Sequence, residues 1–488
     1  MNVSWVQPID IVDLLIADAY RDEYILNDRT IRNSGFEHES LGELCDDIYR
    51  GNTPPHQENS YWNAQVPKIV KTVNIRKNLC DTSSVFDIEP ETYSALPRFQ
   101  LSTSDIAITI MGATPDILGR AWAYQTWVGK ACFSDAVAAI KNITSRVDRE
   151  YLATYLNSRF GHQSIMRWSG SSTREYITNT ALKRVPIPVP DPKIQAYIGD
   201  KVRLAEKCRE EAQAKRSQTE YLLDQHAQKA DIAALMSAKP QPSHNIEAKI
   251  INDRLDAEFY QPHYLDLVQI IQASPHQKLG DVIQLPIKGV QPEYDSTGTV
   301  PALTGTDIDP YRLDLEGASR VNMEWARGKT KALAVSNEIL FTVTGPPLGE
   351  AAVVHSFQAP LVINSHVARI KTRQSFPYPF YLAALMNSII VSAQVYRYCK
   401  GVRQKELYPE DIMQFVIPEI DIEIVRQINS LGYAADFLEY RASGLIREAI
   451  ADVENLIEGK LQTSEIIANK LIALTWEDIE HQVQDAHA

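Results

Sequence analysis

The segment Ile187-Pro188-Val189-Pro190-Asp191-Pro192, with the proline-free stretch that follows it to Lys229, decides the fold predicted for this chain. Prolines at alternate positions lack amide donors and hold the backbone extended. Asp191 can then cap a helix that has Pro192 in its first turn, which is a favoured start. The following apolar residues recur at helical spacing and form a narrow stripe on a charged helix: Ile194, Ile198, Ala205, Cys208 and Ala212. This stripe needs a partner that buries it.

A second helix with a matching stripe is predicted after Ile417-Pro418-Glu419-Ile420-Asp421. Its apolar residues alternate spacings of four and three, which is typical of a coiled-coil seam: Ile424, Ile428, Leu431, Ala435, Leu438, Ala442 and Leu445. Residues 193–229 hold eight basic and six acidic residues, whereas 421–460 hold eight acidic and four basic. We therefore expect the helices to pair. The alternative is two surface helices that each pack on their own domain.

An internal repeat places the two helices at equivalent positions. From Ile117 to Ile198 the first half aligns with the second at a constant offset of 230 residues. The clearest matches are Leu118-Gly119 with Leu348-Gly349, Val137–Ile140 with Val367–Ile370, Tyr151–Ala153 with Tyr381–Ala383, Asn157-Ser158 with Asn387-Ser388, and Ile187-Pro188 with Ile417-Pro418. Chance matches do not keep one alignment offset over about 80 residues. The chain therefore contains two copies of a globular domain followed by a helix.

The bulk composition indicates an ordinary soluble protein of several domains. The chain has 488 residues, 44% of them hydrophobic, and no apolar run near the roughly 20 residues that span a bilayer. The first 18 residues hold three aspartates and no basic residue, unlike a secretory signal. Five scattered cysteines favour a reduced, cytoplasmic location. The net charge of −13 argues against nucleic acid unless a local basic face exists.

The predicted fold class is α+β, because short apolar runs between turn residues precede helical stretches in both halves. Ile106–Ile110 and Glu338–Thr344 are the clearest strands. After Lys460 we expect a helical stretch to Trp476 and a loose acidic tail from Asp478. The predicted organisation is domain 1 over 1–190, spacer helix 1 over 191–237, a linker over 238–245, domain 2 over 246–419, spacer helix 2 over 420–462, and a C-terminal helix and tail over 463–488.

Catalytic and metal-binding motifs are missing from the sequence. It has no Gly-rich loop ending in Gly-Lys-Ser/Thr for a nucleoside triphosphate. It also has no Asn-Pro-Pro-aromatic stretch of the kind that a base-modifying methyltransferase needs, and its histidines form no ligand pairs. We therefore expect no catalytic site, no metal and no cofactor, and the reading as an enzyme with an unfamiliar site is disfavoured.

Several blocks resemble the target recognition domains of the DNA-specificity (S) subunit of type I restriction–modification systems. Arg50-Gly51-Asn52-Thr53-Pro54-Pro55, followed by Tyr61-Trp62-Asn63, resembles the opening block of such a domain. Gly170–Glu175 before Ile187-Pro188, and Lys400–Tyr408 before Ile417-Pro418, resemble a later block. The second half departs from the pattern, because Lys288-Gly289-Val290-Gln291-Pro292 stands where Gly-X-Thr-Pro is usual and Tyr-Trp-Asn is absent.

This resemblance implies a protein that reads a split DNA sequence. Two target recognition domains in pseudo-twofold repeat, joined by two long antiparallel coiled-coil helices, would each read one half-site of double-stranded DNA. The domains differ in sequence, which implies an asymmetric bipartite site. The subunit would be non-catalytic and would direct methyltransferase subunits, which bind S-adenosylmethionine, and a restriction translocase/nuclease subunit. The competing hypothesis, which the net charge favours, is a protein–protein scaffold of this architecture that has lost DNA binding.

Candidate DNA contacts are the cationic, amide and hydroxyl side chains in loops beside the predicted strands. In the first half they are Arg50, Asn52, Thr53, Lys71, Thr72, Arg76, Lys77, Ser171, Ser172, Thr173 and Arg174. In the second half they are Lys288, Thr304, Thr306, Lys400, Arg403, Gln404 and Lys405. The alternative for each is a solvated charge or a turn residue. The loop around Gly401 is the strongest candidate because it carries three cations within six residues.

Overall fold

The computed structural model divides into two compact units. It describes residues 7, 11, 17–54, 57–60, 66–82, 85–169, 176–227, 232, 235–236, 243, 245–251, 254–315, 317–401 and 404–487. Unit 1 is Met1–Glu210 with Leu438–Ala486, and unit 2 is Glu211–Phe437. Most of the predicted linker 238–245 lies outside the described residues.

The six described α-helices of the first half recur in the same order in the second half, which has three more. In the first half of the chain they are α1 (Asp22–Arg32), α2 (Pro90–Ser94), α3 (Arg149–Asn157), α4 (Arg159–Trp168), α5 (Asn179–Lys183) and α6 (Pro192–His226). In the second half they are α7 (Pro262–Gln272), α8 (Leu279–Val282), α9 (Met323–Gly328), α10 (Pro379–Asn387), α11 (Ile389–Tyr398), α12 (Pro409–Ile412), α13 (Ile422–Ile457), α14 (Thr463–Ile467) and α15 (Trp476–His487).

The strands are short, and each half contributes twelve described strands. The first half has β1 (Glu37–Ser40), β2 (Cys45–Arg50), β3 (Glu58–Ser60), β4 (Lys68–Val70), β5 (Ile75–Arg76), β6 (Leu79–Cys80), β7 (Val85–Asp87), β8 (Ile106–Thr109), β9 (Ala121–Ala123), β10 (Ala131–Phe133), β11 (Val137–Ile143) and β12 (Pro186–Val189). The second half has β13 (His276–Lys278), β14 (Ile287–Lys288), β15 (Val300–Leu303), β16 (Ile308–Asp309), β17 (Arg312–Leu313), β18 (Ser319–Val321), β19 (Leu333–Ala334), β20 (Ile339–Thr342), β21 (Ala351–Val353), β22 (Leu361–Ile363), β23 (Val367–Ile370) and β24 (Val416–Pro418).

Both units build their main sheet with the same topology, which confirms the predicted repeat and the α+β class. The main sheet has the order β2-β11-β8-β9 in unit 1 and β14-β23-β20-β21 in unit 2. A second sheet contains a parallel pair, β4 with β10 in unit 1 and β15 with β22 in unit 2. The central strands β8 and β20 are buried at all four positions, as their β-branched and aromatic residues predict.

Equivalent hydrogen bonds hold the repeated frame together. The Asn157 side chain accepts from the Ala121 amide at 2.9 Å and donates to the Ala121 carbonyl at 2.7 Å. Asn387 makes the same two bonds to Ala351, at 2.9 and 2.8 Å. A buried polar group is costly unless it is hydrogen-bonded, so each asparagine fixes α3 or α10 to its sheet.

Each globular domain is closed by a short ladder at the root of its long helix. β1 pairs with β12, and β13 pairs with β24, both antiparallel. The helices then begin as predicted, because the Lys193 amide donates to the Asp191 carboxylate at 2.8 Å. The Glu423 amide donates to the Asp421 carboxylate at the same distance. Each helix therefore leaves its domain from a capped, hydrogen-bonded origin.

The two long helices bury their predicted stripes. In α6 all five stripe residues are 2% exposed or less. In α13 Ile424 and Leu431 are half-buried, and the other five stripe residues are 1% exposed or less. Within unit 1, the Lys201 ammonium lies 2.6 Å from the Asp452 carboxylate, and within unit 2, the Arg216 guanidinium lies 3.6 Å from Asp436. The earlier residue of α6, Lys201, pairs with the later residue of α13, Asp452, and the later residue, Arg216, pairs with the earlier one, Asp436. The helices therefore pair antiparallel, and the alternative of two separate surface helices is wrong.

The prediction of a loose C-terminal tail is also wrong. The chain is helical over Thr463–Ile467 and again over Trp476–His487. Thr475 starts the last helix, because its amide and its hydroxyl both donate to the Asp478 carboxylate at 2.8 Å. Ile479 is fully buried, and the Lys207 ammonium lies 4.4 Å from the Trp476 ring centroid. The sequence Thr475-Trp476-Glu477-Asp478 has the pattern of a helix cap. The contacts of Ile479 and Trp476 within unit 1 then stabilise the helix α15.

No single helix in the described part of the chain has the length and hydropathy to cross a membrane. The bent pair α10 and α11 passes the test of length and composition. Most side chains of both helices are buried in unit 2.

Gly51→Ala and Gly289→Ala are expected to destabilise the fold. An added Cβ would lie 2.2 Å from the Phe133 carbonyl at position 51 and 2.2 Å from the Ile363 carbonyl at position 289. Relieving such overlap against backbone costs about 1–3 kcal/mol. Urea unfolding of the full chain measures the loss. Gly328→Ala is the control, because a Cβ there meets nothing within 4 Å; equal stability of all three variants would contradict the expectation.

Candidate nucleic-acid interface

In unit 1 the turn Ser134–Ala136, between β10 and β11, gathers the ends of three other strands. The Gly51 amide after β2 donates to the Val137 carbonyl at 2.9 Å. The Ser134 amide donates to the Val70 carbonyl, at the end of β4, at 3.0 Å. The Ile110 amide after β8 donates to the Ala136 carbonyl at 3.0 Å. We call this region turn edge 1.

Four of the predicted contacts meet at turn edge 1. Arg50 donates from Nε to the Asp135 carbonyl at 2.8 Å, and Thr53 donates its hydroxyl to the Asp135 carboxylate at 2.5 Å. Lys71 directly follows β4, and its ammonium lies 3.3 Å from the Phe86 ring centroid. Burial lowers the pKa of Lys71. Asn52 is exposed between Arg50 and Thr53. Distant segments of sequence thus place cationic, amide and hydroxyl groups on one edge.

A fourth segment joins turn edge 1 through Tyr176. The Ile177 amide donates to the Ile110 carbonyl at 3.0 Å, and the Arg50 guanidinium lies 5.6 Å from the Tyr176 ring centroid. Two blocks used in the sequence comparison lie outside the described residues: Tyr61–Asn63, and Gly170–Glu175 with the predicted contacts Ser171, Ser172, Thr173 and Arg174.

A cleft of about 430 Å³ opens beside Arg50. Arg98 lies in it with its guanidinium 4.2 Å from the Tyr49 ring centroid. Lys183 pairs with Asp47 at 2.6 Å, and that hydrogen bond raises the pKa of Lys183. Asn179 also lines the cleft. Sequence reasoning missed Arg98, Asn179 and Lys183, because they come from separate elements and belong to no motif.

Unit 2 repeats the arrangement around the turn Asn364–His366, which we call turn edge 2. The Gly289 amide donates to the Val367 carbonyl at 3.0 Å, and the Asn364 amide donates to the Leu303 carbonyl at 3.0 Å. The Val343 amide donates to the His366 carbonyl at 2.9 Å. Lys288 at the end of β14 and Thr304 after β15 therefore take the places of Arg50 and Lys71. The alignment of Gly289 with Gly51 is confirmed.

The loop around Gly401 is also held at turn edge 2. The Gly345 amide donates to the Lys405 carbonyl at 3.0 Å, and the Leu407 amide donates to the Val343 carbonyl at 2.8 Å. This loop corresponds to the Tyr176 segment of unit 1, where the Ile177 amide makes the equivalent hydrogen bond to the Ile110 carbonyl. Gln404 is exposed, and Arg403 lies outside the described residues.

The lysines of turn edge 2 are paired with carboxylates. Lys288 pairs with Glu406, Lys400 with Asp411 at 3.0 Å, and Lys405 with Glu258 at 3.0 Å. The Thr304 hydroxyl is bonded to Asp307 at 2.7 Å and lies 2.9 Å from that of Thr306. The described part of this loop is therefore less basic than its sequence indicates.

Three predicted contacts lie apart from the turn edges. Thr72 sits in the turn that leads to the hairpin β5–β6, and Arg76 and Lys77 lie on that hairpin. The hairpin tip, Asn78, donates its amide to the Ala121 carbonyl of β9 at 2.9 Å. Because β9 and β2 are the two edges of the main sheet, the structure does not bring these residues to Arg50.

No metal centre is found in the described residues, where no group of three or more His, Cys, Asp or Glu side chains could hold an ion. All five cysteines are buried and free of disulfides. Burial raises the pKa of Cys45 to about 11, so its thiol stays protonated at neutral pH.

Comparison with known proteins finds similarity among solved structures. No family model matches the sequence, and no curated protein matches it. The chain is similar to a type I restriction-modification S subunit from M. genitalium, at 11% identity and a TM-score of 0.41, over 88% of this chain and 96% of that one.

Two further solved structures show weaker similarity. One is the HsdS subunit from Thermoanaerobacter tengcongensis, at 15% identity and a TM-score of 0.27, over 88% and 97% of the two chains. The other comes from work on complex assembly and conformational transition of the type I R-M system, at 14% identity and a TM-score of 0.28, over 88% and 98%. These structures belong to the type I systems whose S subunits the sequence motifs resemble.

Glu406→Gln is expected to tighten the binding of duplex DNA. The substitution removes the carboxylate that pairs with Lys288, which leaves a free cation for a phosphate. One more phosphate contact raises affinity by about threefold near 0.15 M salt and steepens the salt dependence. Fluorescence anisotropy over a salt series measures both. Glu410→Gln, at an exposed carboxylate nearby, is the control, and identical curves for the two variants would show that turn edge 2 does not face DNA.

Proposed function

We propose that this protein is the DNA-specificity subunit of a type I restriction–modification system. It would recognise an asymmetric bipartite site in double-stranded DNA without catalysing a reaction itself. One observation carries the proposal. The described parts of the segments that resemble target recognition blocks, or that directly follow them, are distant in sequence, yet they meet at one turn in each unit through equivalent hydrogen bonds. Such convergence brings cationic, amide and hydroxyl side chains to one surface, as a recognition surface requires.

The chemistry of the turn edges suits duplex DNA. Phosphates are bound by cations and hydroxyls, and base edges are read by arginine, lysine and amide side chains. In unit 1 Arg50, Thr53 and Lys71 would hold the backbone, and the exposed amide of Asn52 is available for an adenine edge. In unit 2 Lys288 and Gln404 have the corresponding roles. The two edges carry different side chains on one frame, so the two half-sites would differ.

The long helices would set the distance between the half-sites. Helix α6 contains 35 residues, which is roughly 52 Å at 1.5 Å per residue. This length corresponds to about 15 base pairs at 3.4 Å each. The partners would be methyltransferase subunits, which bind S-adenosylmethionine and transfer the methyl group, and a restriction translocase/nuclease subunit. This chain would act in the cytoplasm and would hold no cofactor of its own.

A scaffold that has lost DNA binding is the second candidate. Carboxylates pair with Lys288, Lys400 and Lys405 at turn edge 2, and the chain carries a net charge of −13. Both features weaken attraction to phosphates. The two candidates make opposite predictions for modified DNA.

Methylation mapping separates the two candidates. Cells expressing this chain with a methyltransferase subunit encoded beside it are expected to carry one asymmetric, split methylated motif. The motif should vanish when this chain is deleted. A methyltransferase that is folded and bound to this chain, but leaves no modified motif, would favour the scaffold.

The double variant Arg50→Ala with Lys71→Ala is expected to weaken DNA binding and flatten its salt dependence. Each lost phosphate contact removes about 0.9 from the slope of log K against log salt. Arg21→Ala is the control, because Arg21 is an exposed arginine of unit 1 that pairs with Asp18. A titration in which both variants follow the wild-type slope would exclude turn edge 1 as a phosphate site.

A further inference from the structure

A buried charged contact joins the domain of unit 1 to its long helix. Glu206 on α6 is 4% exposed, and it accepts from the Trp127 indole N–H at 3.0 Å. Trp127 lies between β9 and β10 of the domain. Arg209, one turn along the helix and 3% exposed, donates to Glu206 at 2.7 Å and to the Asn78 carbonyl at 2.8 Å. One helical turn therefore holds two separate loops of the domain.

Unit 2 contains a related contact at the equivalent acidic position. Asp436 on α13 is 230 residues after Glu206, which is the offset of the repeat. Its carboxylate lies 3.8 Å from His355 Nε2, in the loop after β21, and 3.6 Å from the Arg216 guanidinium. Arg216 in turn lies 5.9 Å from the ring centroid of Tyr311. Tyr311 is at the tip of the hairpin β16–β17.

The hairpin tips in the two units share an unusual backbone conformation. Asn78 has a φ of 52° and Tyr311 has a φ of 67°, a region that non-glycine residues rarely adopt. Each tip contacts an arginine of α6, Arg209 in unit 1 and Arg216 in unit 2. Both joints therefore combine an acidic residue of a long helix, an arginine of α6 and a hairpin tip, although acid and arginine share one helix in unit 1 and lie on two helices in unit 2.

The joint of unit 2 is enclosed by aromatic rings. His355 is 3% exposed and lies 4.6 Å from Phe357, 5.0 Å from Phe380 and 5.0 Å from Tyr433, measured between ring centroids. Burial lowers the pKa of His355 to about 4, so the ring is neutral at pH 7. Burial likewise raises the pKa of Glu206, and Arg209 opposes that rise.

Buried charges of this kind specify an orientation more than they add stability. Desolvation offsets most of the attraction within a buried pair, and an apolar contact of the same size is often as stable. Apolar packing, however, is non-directional, so it does not by itself fix a domain at one angle on a helix. In unit 1 the hydrogen bonds of the indole N–H and the guanidinium are directional, and they tie two domain loops to a defined helical turn. In unit 2 the Asp436 carboxylate and the Arg216 guanidinium lie 3.6 Å apart beside His355, so a charged contact marks the same place on the helix.

We infer that these two joints, Trp127–Glu206–Arg209 and His355–Asp436–Arg216, fix the orientation of each domain on its long helix and thereby determine which gap length the protein accepts between half-sites. The inference rests on the proposed function and deepens it. One added base pair shifts a half-site by about 3.4 Å and rotates it by about 35° around the duplex. A domain held at one angle cannot follow this rotation, whereas a loosened domain can.

The test uses the full chain with its methyltransferase partner and the half-sites found by methylation mapping. Duplexes carry both half-sites with the natural gap, or with one base pair more or fewer. Competition binding is measured for wild type, Glu206→Gln and Asp436→Asn. The wild type should strongly prefer the natural gap, and each variant should lose about tenfold of that preference. Discrimination against a base-pair change within a half-site should stay at the wild-type value, which a general loss of structure would not allow.

Two further variants keep the test decisive. Glu210→Gln removes an exposed carboxylate of the same helix, and its gap preference should equal that of the wild type. Trp127→Phe removes the indole N–H with little change of packing, and it replaces Glu206→Gln should that variant fail to fold. Folded variants that retain the wild-type gap preference would overturn the inference. A wild type that binds none of the duplexes would instead refute the proposed function.

Discussion

The burial of two apolar stripes is the constraint on which the rest of this structure depends. Neither α6 nor α13 can shield its stripe alone, since each is a narrow seam on a charged helix. Pairing of the helices buries both stripes and brings together residues that are 251 positions apart, such as Lys201 and Asp452. The helices in turn begin at ladders that close the globular domains. The same hydrophobic requirement therefore acts in both units, since each contains a part of both helices.

The two domains share the backbone contacts that hold their sheets and turns, but they differ in the side chains exposed at turn edges 1 and 2. Gly51 and Gly289 allow the same close approach to a turn, and Asn157 and Asn387 make the same pair of hydrogen bonds. These contacts involve backbone groups, so they persist when neighbouring side chains change. This division explains how a duplicated domain can keep one fold while its exposed edge acquires different residues and a different charge pattern.

The charged side chains of this protein act differently at the turn edges and at the joints with the long helices. At the turn edges, cations lie near the surface, where carboxylates such as Glu406 and Glu258 limit their attraction for anions. At the joints with the helices, Glu206 and Arg209 are almost fully buried and contribute direction rather than net attraction. The net charge of the chain is therefore a poor guide to its function, because position and pairing decide what each charged group can do.

The sequence by itself determined the repeat, the α+β class, the paired helices and their caps, since these follow from local periodicity and from short-range hydrogen bonds. It also placed Thr53 and Lys71 correctly in loops beside strands, whereas Arg50 and Lys288 are the last residues of β2 and β14. Tertiary structure decided which of them meet, separated Arg76 and Lys77 from that edge, and paired Lys400 and Lys405 with carboxylates. It also ordered the C-terminal helix against unit 1 and created the buried joints at Glu206 and Asp436. These features depend on contacts between residues far apart in the chain, and no local pattern encodes such contacts.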